Sequence, residues 1–293
     1  MAGVRARASA HRLLGLTAML ASPLPVPPGG RAFIDVTALS LDFPLYHGGA
    51  RSLKKTVLSG VSGKVGGRLG RAGRSPDDPN ATRRVVVQAL RDLTFSVRSG
   101  ERLGIVGRNG AGKSSLLRVL GGIYEPVAGR IHTGGSVNTL LDTNFGMNLD
   151  LTGRENITLR GRYVGLDATG IRALEEDVEG FAALGPFMDL PVRLYSSGMV
   201  VRLGFGLATA IAPQILLMDE WFMAGDSRFR DKAHARLETV VRGAEILVLT
   251  SHMPDVLRQW CTRLIWLEAG RIVADGPVDD IMTRYESGAA PAL

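Results

Sequence analysis

Gly107-Arg108-Asn109-Gly110-Ala111-Gly112-Lys113-Ser114 fits the pattern G-x-x-x-x-G-K-[ST], the loop that wraps the phosphates of a nucleoside triphosphate. Its surroundings supply the context the motif needs. Leu103-Gly104-Ile105-Val106 is a short apolar run of the buried-strand kind, and Ser115-Leu116-Leu117-Arg118-Val119-Leu120 can continue as a helix. Gly110 and Gly112 remove side chains, so that successive backbone N–H groups form a nest for an anion. A helix opening near Lys113 adds its free N–H groups and its dipole. Lys113 would reach the β- and γ-phosphates as a point charge, and the Ser114 hydroxyl would ligate Mg²⁺. ATP and Mg²⁺ are therefore the expected ligands.

Two further runs read as buried strands that end at chemistry. Ile215-Leu216-Leu217-Met218 leads into Asp219-Glu220, where Asp219 is placed to hold Mg²⁺ through water and Glu220 to orient or deprotonate the attacking water. Ile246-Leu247-Val248-Leu249-Thr250 leads into Ser251-His252, and a histidine just beyond a strand end in an open parallel sheet sits where ligands bind. His252 is expected to donate a hydrogen bond to the γ-phosphate.

A fourth piece, Tyr195-Ser196-Ser197-Gly198-Met199, precedes the carboxylate strand by a short helix. In this order the four pieces resemble the ATP-binding subunit of ABC transporters, over about Phe33 to Tyr285. The family's signature, usually L-S-G-G-Q, stands here as Y-S-S-G-M. That variant, the Val-Arg-Leu run after it, Leu151-Thr152-Gly153-Arg154-Glu155-Asn156 and Gly225-Asp226 look like the branch that exports O-antigen, capsule or teichoic-acid chains.

The resemblance implies an α/β P-loop NTPase fold of the ABC ATPase type. Its core sheet is mainly parallel, with an N-terminal antiparallel β subdomain and an inserted helical subdomain. It also implies a homodimer with ATP between the phosphate loop of one chain (Gly107 to Ser114, with Ser115) and Tyr195 to Met199 of the other. Asp226 matches the aspartate that communicates across the dimer. The family's glutamine between loop and signature falls at Thr143, and Asp142 beside it is taken as a substitute metal ligand. Phe43 is the expected adenine-stacking residue, with Tyr46 as second choice, and Trp221 and Phe222 are expected to pack on the signature helix.

By the same resemblance the partners are a separate polytopic permease and, through it, a lipid-linked polysaccharide. The place is the cytoplasmic face of the cell's inner membrane, held peripherally. The rivals are an ABC subunit for another cargo, such as a lipid or drug, and a soluble ABC ATPase. One cassette and no sustained heptads speak against the soluble types.

The chain has 293 residues, a net charge of +7 and a single cysteine, Cys261. The charge is unevenly placed. Residues 48–88 carry a balance of +7 and the first 31 residues +4, so the remainder is mildly acidic at −4. Neither basic stretch has the aromatic interleaving or zinc spacing of a nucleic-acid module, so no nucleic-acid partner is expected. The expected organisation is an extension at 1–31, disordered or produced by a start codon placed too early, then an ATP-binding domain at 32–285. Within that domain lie a basic insertion at 48–88 and a helical subdomain carrying the signature at 153–211. Residues 286–293 form a flexible tail. The apolar run Leu13 to Ala21 is too short to cross a bilayer, which takes about 20 residues. Strands are expected near 33–41, 90–98, 102–107, 129–142, 215–219 and 245–250, a helix at 228–242, a closing hairpin around Leu264 to Val273, and a last helix from Pro277 to Tyr285.

Overall fold

The computed structural model describes residues 24–25, 30–45, 85–141, 146–219 and 227–288. In chain order the elements are β1 (Leu24–Pro25), β2 (Phe33–Leu45), β3 (Val85–Arg98), β4 (Arg102–Val106), α1 (Lys113–Leu120), β5 (Ala128–Gly134), β6 (Val137–Leu140), α2 (Gly153–Tyr163), α3 (Ala168–Ala182), α4 (Ser197–Thr209), β7 (Ile211–Ala212), β8 (Ile215–Asp219), α5 (Ser227–Gly243), β9 (Ile246–Thr250), α6 (Pro254–Trp260), β10 (Arg263–Glu268), β11 (Arg271–Pro277) and α7 (Val278–Glu286).

A six-stranded sheet of order β11-β10-β4-β9-β8-β6 forms the centre. Its five neighbours from β10 to β6 run parallel, and β11 closes one edge antiparallel to β10. Because layers cover both faces, its strands read as unbroken apolar runs: every residue of β9 is buried. The pleat still sorts them. Ile215, Leu217, Ile246 and Val248 enter one core, with Leu116, Leu117 and Val119 of α1 and the inner residues of β2 and β3. Leu216, Met218, Leu247 and Leu249 enter the other, with Leu237 and Val240 of α5, Leu257 of α6 and Ile281 of α7. The period of two thus splits each strand between two hydrophobic layers.

Strands β3, β2 and β5 make a separate antiparallel sheet. Here alternation is clean: Ile34 and Val36 point into the core, while Asp35 and Thr37 face outward. Helices α2 to α4 build their own core from Ile157, Leu174, Val178, Met188, Val192 and Leu203. The start of α2 is fixed by a capping box, in which Glu155 N donates to the Thr152 hydroxyl and Thr152 N to the Glu155 carboxylate. Arg154 then ties α2 to Glu175, Glu179 and Asp189.

The architecture is the one expected: a mainly parallel core, an antiparallel β subdomain and an inserted helical unit. Four boundaries differ. Leu24 and Pro25, inside the segment expected to lack structure, pair in parallel with Ile211 and Ala212. Strand β3 starts at Val85, so the last four residues of the expected insertion 48–88 belong to the sheet, where Val87 pairs with Phe43. The helices of the signature subdomain stop at Thr209, and its last expected residue lies in β7. The short helix α6 was not anticipated, because Pro254 at its first turn reads equally well as a loop residue.

Glu245 joins the two sheets at one end. It accepts from Gln214 Nε2 at 2.8 Å, Ala32 N at 3.0 Å and Ser99 Oγ at 2.8 Å. These bonds, led by the one from Gln214, hold its carboxyl below the ordinary carboxylate value. The unfolded chain therefore takes up the proton first as the medium becomes acidic. The stabilisation is complete above the unfolded value and is lost as pH falls through the folded one. Glu245→Gln should flatten the acid decline of the melting temperature as pH falls below the ordinary carboxylate value. A decline as steep as that of the parent would show that the carboxylate contributes nothing.

Candidate functional site

Strands β4, β8 and β9 end side by side. Ile105 is in register with Thr250, and Asp219 with Thr250, so Val106, Asp219 and Thr250 line one edge of the sheet at its carboxyl end. Ligands of open parallel sheets bind there.

The chain from Gly107 to Gly112 leaves β4 in a loop that needs glycine. Gly107, Gly110 and Gly112 have φ of +154°, +79° and +106°. At Gly107 a Cβ would lie 2.3 Å from the Leu267 carbonyl oxygen, and at Gly112 2.7 Å from that of Ala89. The loop delivers α1 with Gly112 as its N-cap, no side-chain cap bond and no acidic residue in the first turn. The N–H groups of that turn have no partner in their own helix. Lys113 is buried at 7 % exposure, and its Nζ donates to Gly107 O at 2.8 Å and Arg108 O at 3.4 Å. The ammonium group is thereby held inside the curl of the loop. Arg108, Asn109 and Gly110 are exposed at its rim, while Ser114 and Ser115 are half-buried on α1.

Two neighbours complete this corner. The Thr250 hydroxyl donates to Asp219, fixing the carboxylate at the end of β8. His252 lines a small cavity of about 30 Å³ together with Val106, Gly107 and Ser251, so the phosphate loop and the histidine share one pocket. A much larger hollow of about 660 Å³ lies on the outer face of the antiparallel sheet, lined by Asp35, Arg98, Arg130 and His132, and holds none of the expected residues.

The comparisons with known proteins agree with this geometry. A model of the ABC transporter family matches residues 90–223. The O-antigen export system ATP-binding protein RfbE of Yersinia enterocolitica is 37% identical over 235 residues, which is 80% of this chain and 93% of that protein. The chain belongs to the ABC transporter family. Other ABC relatives are longer. The O-antigen export system ATP-binding protein RfbB of Myxococcus xanthus is 36% identical across 68% of this chain and 46% of its own length. The teichoic acids export ATP-binding protein TagH of Lactococcus lactis is 37% identical across 68% of this chain and 42% of its own. The chain thus spans less than half of those two proteins. Among solved structures, the ATP-binding subunit of an ABC transporter superposes with a TM-score of 0.58 at 23% identity, covering 89% of this chain and 95% of that one. A dimeric ATP-binding cassette in a post-hydrolysis state, bound to ADP and Pi, gives 0.57 at 18% identity, covering 84% and 98%. These two share the fold.

The turn expected to be the signature, Tyr195 to Met199, opens helix α4 of the helical unit. Ser196 is the N-cap of α4, and its hydroxyl accepts from Met199 N at 3.3 Å. Ser196, Ser197 and Gly198 are all exposed, and a Cβ on Gly198 would meet nothing within 4 Å. The helix start thus presents bare N–H groups to open space. Met199 is half-buried against the helical core. Tyr195 departs from expectation. Its side chain is buried, and its hydroxyl donates to Phe187 O at 2.7 Å, with burial raising its pKa. A ring turned into the subdomain cannot meet a partner's nucleotide, so Tyr195 supports the turn from beneath.

Phe43 is half-buried on β2, its ring edge-on to Tyr124 at 5.3 Å. It lies opposite Val87, two residues from Ala89, whose carbonyl touches Gly112. Glu220, Asp226, Asp142, Thr143, Tyr46, Trp221 and Phe222 lie outside the described residues.

Sequence reasoning missed two supports. The hairpin turn of β10 and β11 braces the loop: Gly270 N donates to Ala111 O at 3.0 Å, and Arg91 N to Gly270 O at 2.8 Å. The Ala269-Gly270 pair between two strands signals a turn, but not what the turn touches. Thr250 could have been noticed as the polar residue ending an apolar strand. Cys261 is buried, which pushes its thiol up to about 12 and leaves it inert.

Gly112→Ala should destabilise the protein by at least about 1 kcal/mol in urea unfolding, since the new Cβ meets both a positive φ and the Ala89 carbonyl. Gly110→Ala, which has open space around it, should cost less. Equal losses would show that the Ala89 contact does not constrain the loop.

Proposed function

We infer that this chain is the ATP-binding and ATP-hydrolysing subunit of an ABC transporter that exports a lipid-linked polysaccharide of the O-antigen, capsule or teichoic-acid type. The observation that carries this reading is a pair of helix starts, one curled round the buried Lys113 and the other exposed. One, at Gly112-Lys113, is shaped by left-handed glycines; the other, at Ser196–Gly198, is capped only by its own serine. Both aim unpaired donors outward, as an anion requires. A single chain has no use for two such sites on separate subdomains, whereas two copies face to face bring them together around a pair of ATP molecules. The likeness to O-antigen and teichoic-acid export subunits supports the cargo class.

In this reading Gly107 to Ser115 cradle the phosphates, and Lys113 supplies a fixed positive charge to the β- and γ-phosphates. Phe43 flanks the adenine, where stacking is worth roughly 1–3 kcal/mol. His252 donates to the γ-phosphate from the pocket it shares with Gly107. Glu220 takes the proton of the attacking water, and Asp226 meets the partner chain. Among the described residues no three His, Cys, Asp or Glu side chains cluster as a metal cage. The donors present suit Mg²⁺ instead, which keeps waters and binds through one or two protein oxygens plus phosphates. The Ser114 hydroxyl and Asp219, oriented by Thr250, would hold it, and Asp142 is the proposed further ligand; bound there, it would neutralise charge on the transferred phosphoryl group. ATP binding closes the pair of chains, and hydrolysis removes the anion that holds them, so the ligand sets the closed population.

No helix among the described residues is long and apolar enough to cross a membrane. The membrane passage then falls to a separate permease, with this chain held peripherally at the cytoplasmic face of the inner membrane. The basic segment 48–88 is suited to anionic lipid heads beneath it.

Glu220→Gln should retain ATP binding, lower turnover by roughly 10²–10⁴-fold and accumulate a dimer in ATP, measured by light scattering after gel filtration. A variant that stays monomeric in ATP contradicts the face-to-face pair. Lys113→Ala should lose nucleotide binding or turnover, and unimpaired hydrolysis would remove the phosphate-loop assignment.

A further inference from the structure

Where α5 crosses the helical subdomain, basic side chains and aromatic rings meet in one joint. Phe229, Lys232 and Arg236 share a face of α5, and Arg202, Phe205 and Thr209 share a face of α4 at the same helical spacing. The Arg202 guanidinium lies 5.4 Å from the centre of the Phe229 ring. Phe205 is stacked on Phe181 of α3 at 5.3 Å, and Phe229 meets Phe181 edge-on at 5.5 Å. Lys232 Nζ donates to Gly180 O at 2.8 Å and Phe181 O at 3.0 Å, carbonyls of the last turn of α3.

Arg236 is the centre of the joint and is only 3 % exposed. Its Nη1 donates to Asp177 Oδ1 at 3.0 Å and its Nη2 to Asp177 Oδ2, while Nε donates to Thr209 Oγ1 at 2.9 Å. Thr209 in turn donates to Phe205 O at 2.7 Å. One guanidinium thus ties α5 to both α3 and α4.

Burying an ion pair removes hydration that its attraction only roughly offsets, and a well-packed apolar pair of similar volume would hold three helices as firmly. A bidentate fork with a third donor on another edge of the same plane adds direction instead. The direction fixed here is that of α4, whose opposite end is the exposed Ser196–Gly198. It is fixed relative to α5, the next helix after β8 and its Asp219.

We propose that Arg236 is a positioning residue: acting through Asp177 and Thr209, it sets the angle at which a chain presents Ser196–Gly198 to its partner's ATP and ties that angle to the carboxylate strand of the same chain. Because each chain contributes its phosphate loop to one ATP and its signature turn to the other, the joint makes closure around one nucleotide favour closure around the second. The inference rests on the ATP-sandwich reading above.

The test compares two changes in a Glu220→Gln background: Arg236→Met combined with Asp177→Leu, and Lys232→Met at the exposed edge of the joint. The readouts are melting temperature, binding of a fluorescent ATP analogue to dilute monomer, and the ATP concentration that gives half dimer. The apolar pair should leave the first two unchanged and raise the third at least about fivefold, the lower end of coupling between sites. Lys232→Met should shift it the same way by a smaller factor, and decides alone if the double change does not fold. Half dimer at the parental ATP concentration in the folded variants overturns the proposal. A parent that binds ATP but never dimerises overturns the sandwich, and the proposal with it.

Discussion

A loop whose glycines take left-handed backbone angles must be held in shape by contacts from outside it. In this protein the holding is done from behind. Gly107 is pressed to the Leu267 carbonyl, Gly112 to the Ala89 carbonyl, and Ala111 O accepts from Gly270 N. Each contact comes from a different element: the strand beside β4, the antiparallel sheet, and the hairpin that closes the chain. The antiparallel sheet, through Ala89, and the turn between β10 and β11, through Gly270, therefore hold this loop directly. Without glycine at these positions the backbone could not come so near, because a Cβ would overlap a carbonyl oxygen fixed in a sheet.

The parallel sheet contributes in another way. Its inner strands β8 and β9 are almost wholly apolar, and the pleat divides them between two cores, so both faces are committed to packing. At the carboxyl ends Asp219, Thr250 and His252 sit beside the loop. Thr250 is fully buried and spends its hydroxyl on Asp219, which gives that carboxylate a defined orientation.

Legibility in the sequence followed the range of the interaction. The strands at 215–219 and 246–250, the helix at Lys113 and the closing hairpin were visible because each depends on a run of residues and their spacing. The phosphate loop was visible because its glycines encode a backbone shape. Tyr195 misled because it stands inside the signature, and membership of a motif does not say which way a ring turns. The brace from Gly270, the bond from Thr250 to Asp219 and the joint around Arg236 were invisible, since each joins residues distant in sequence and leaves no periodic trace. The Leu24–Pro25 pairing was missed for a related reason: two residues of strand carry no pattern, and Ile211–Ala212 provides the edge that orders them.

The burial of Cys261 has a practical side. Its thiol is packed behind α6 and resists ionisation, so alkylating dyes have no native target among the described residues. Gly198, with empty space where a side chain would stand, can take an introduced cysteine without clash. A fluorophore placed there would fill the space that the proposed pair gives to a partner's nucleotide, so it would test whether that space is needed for pairing.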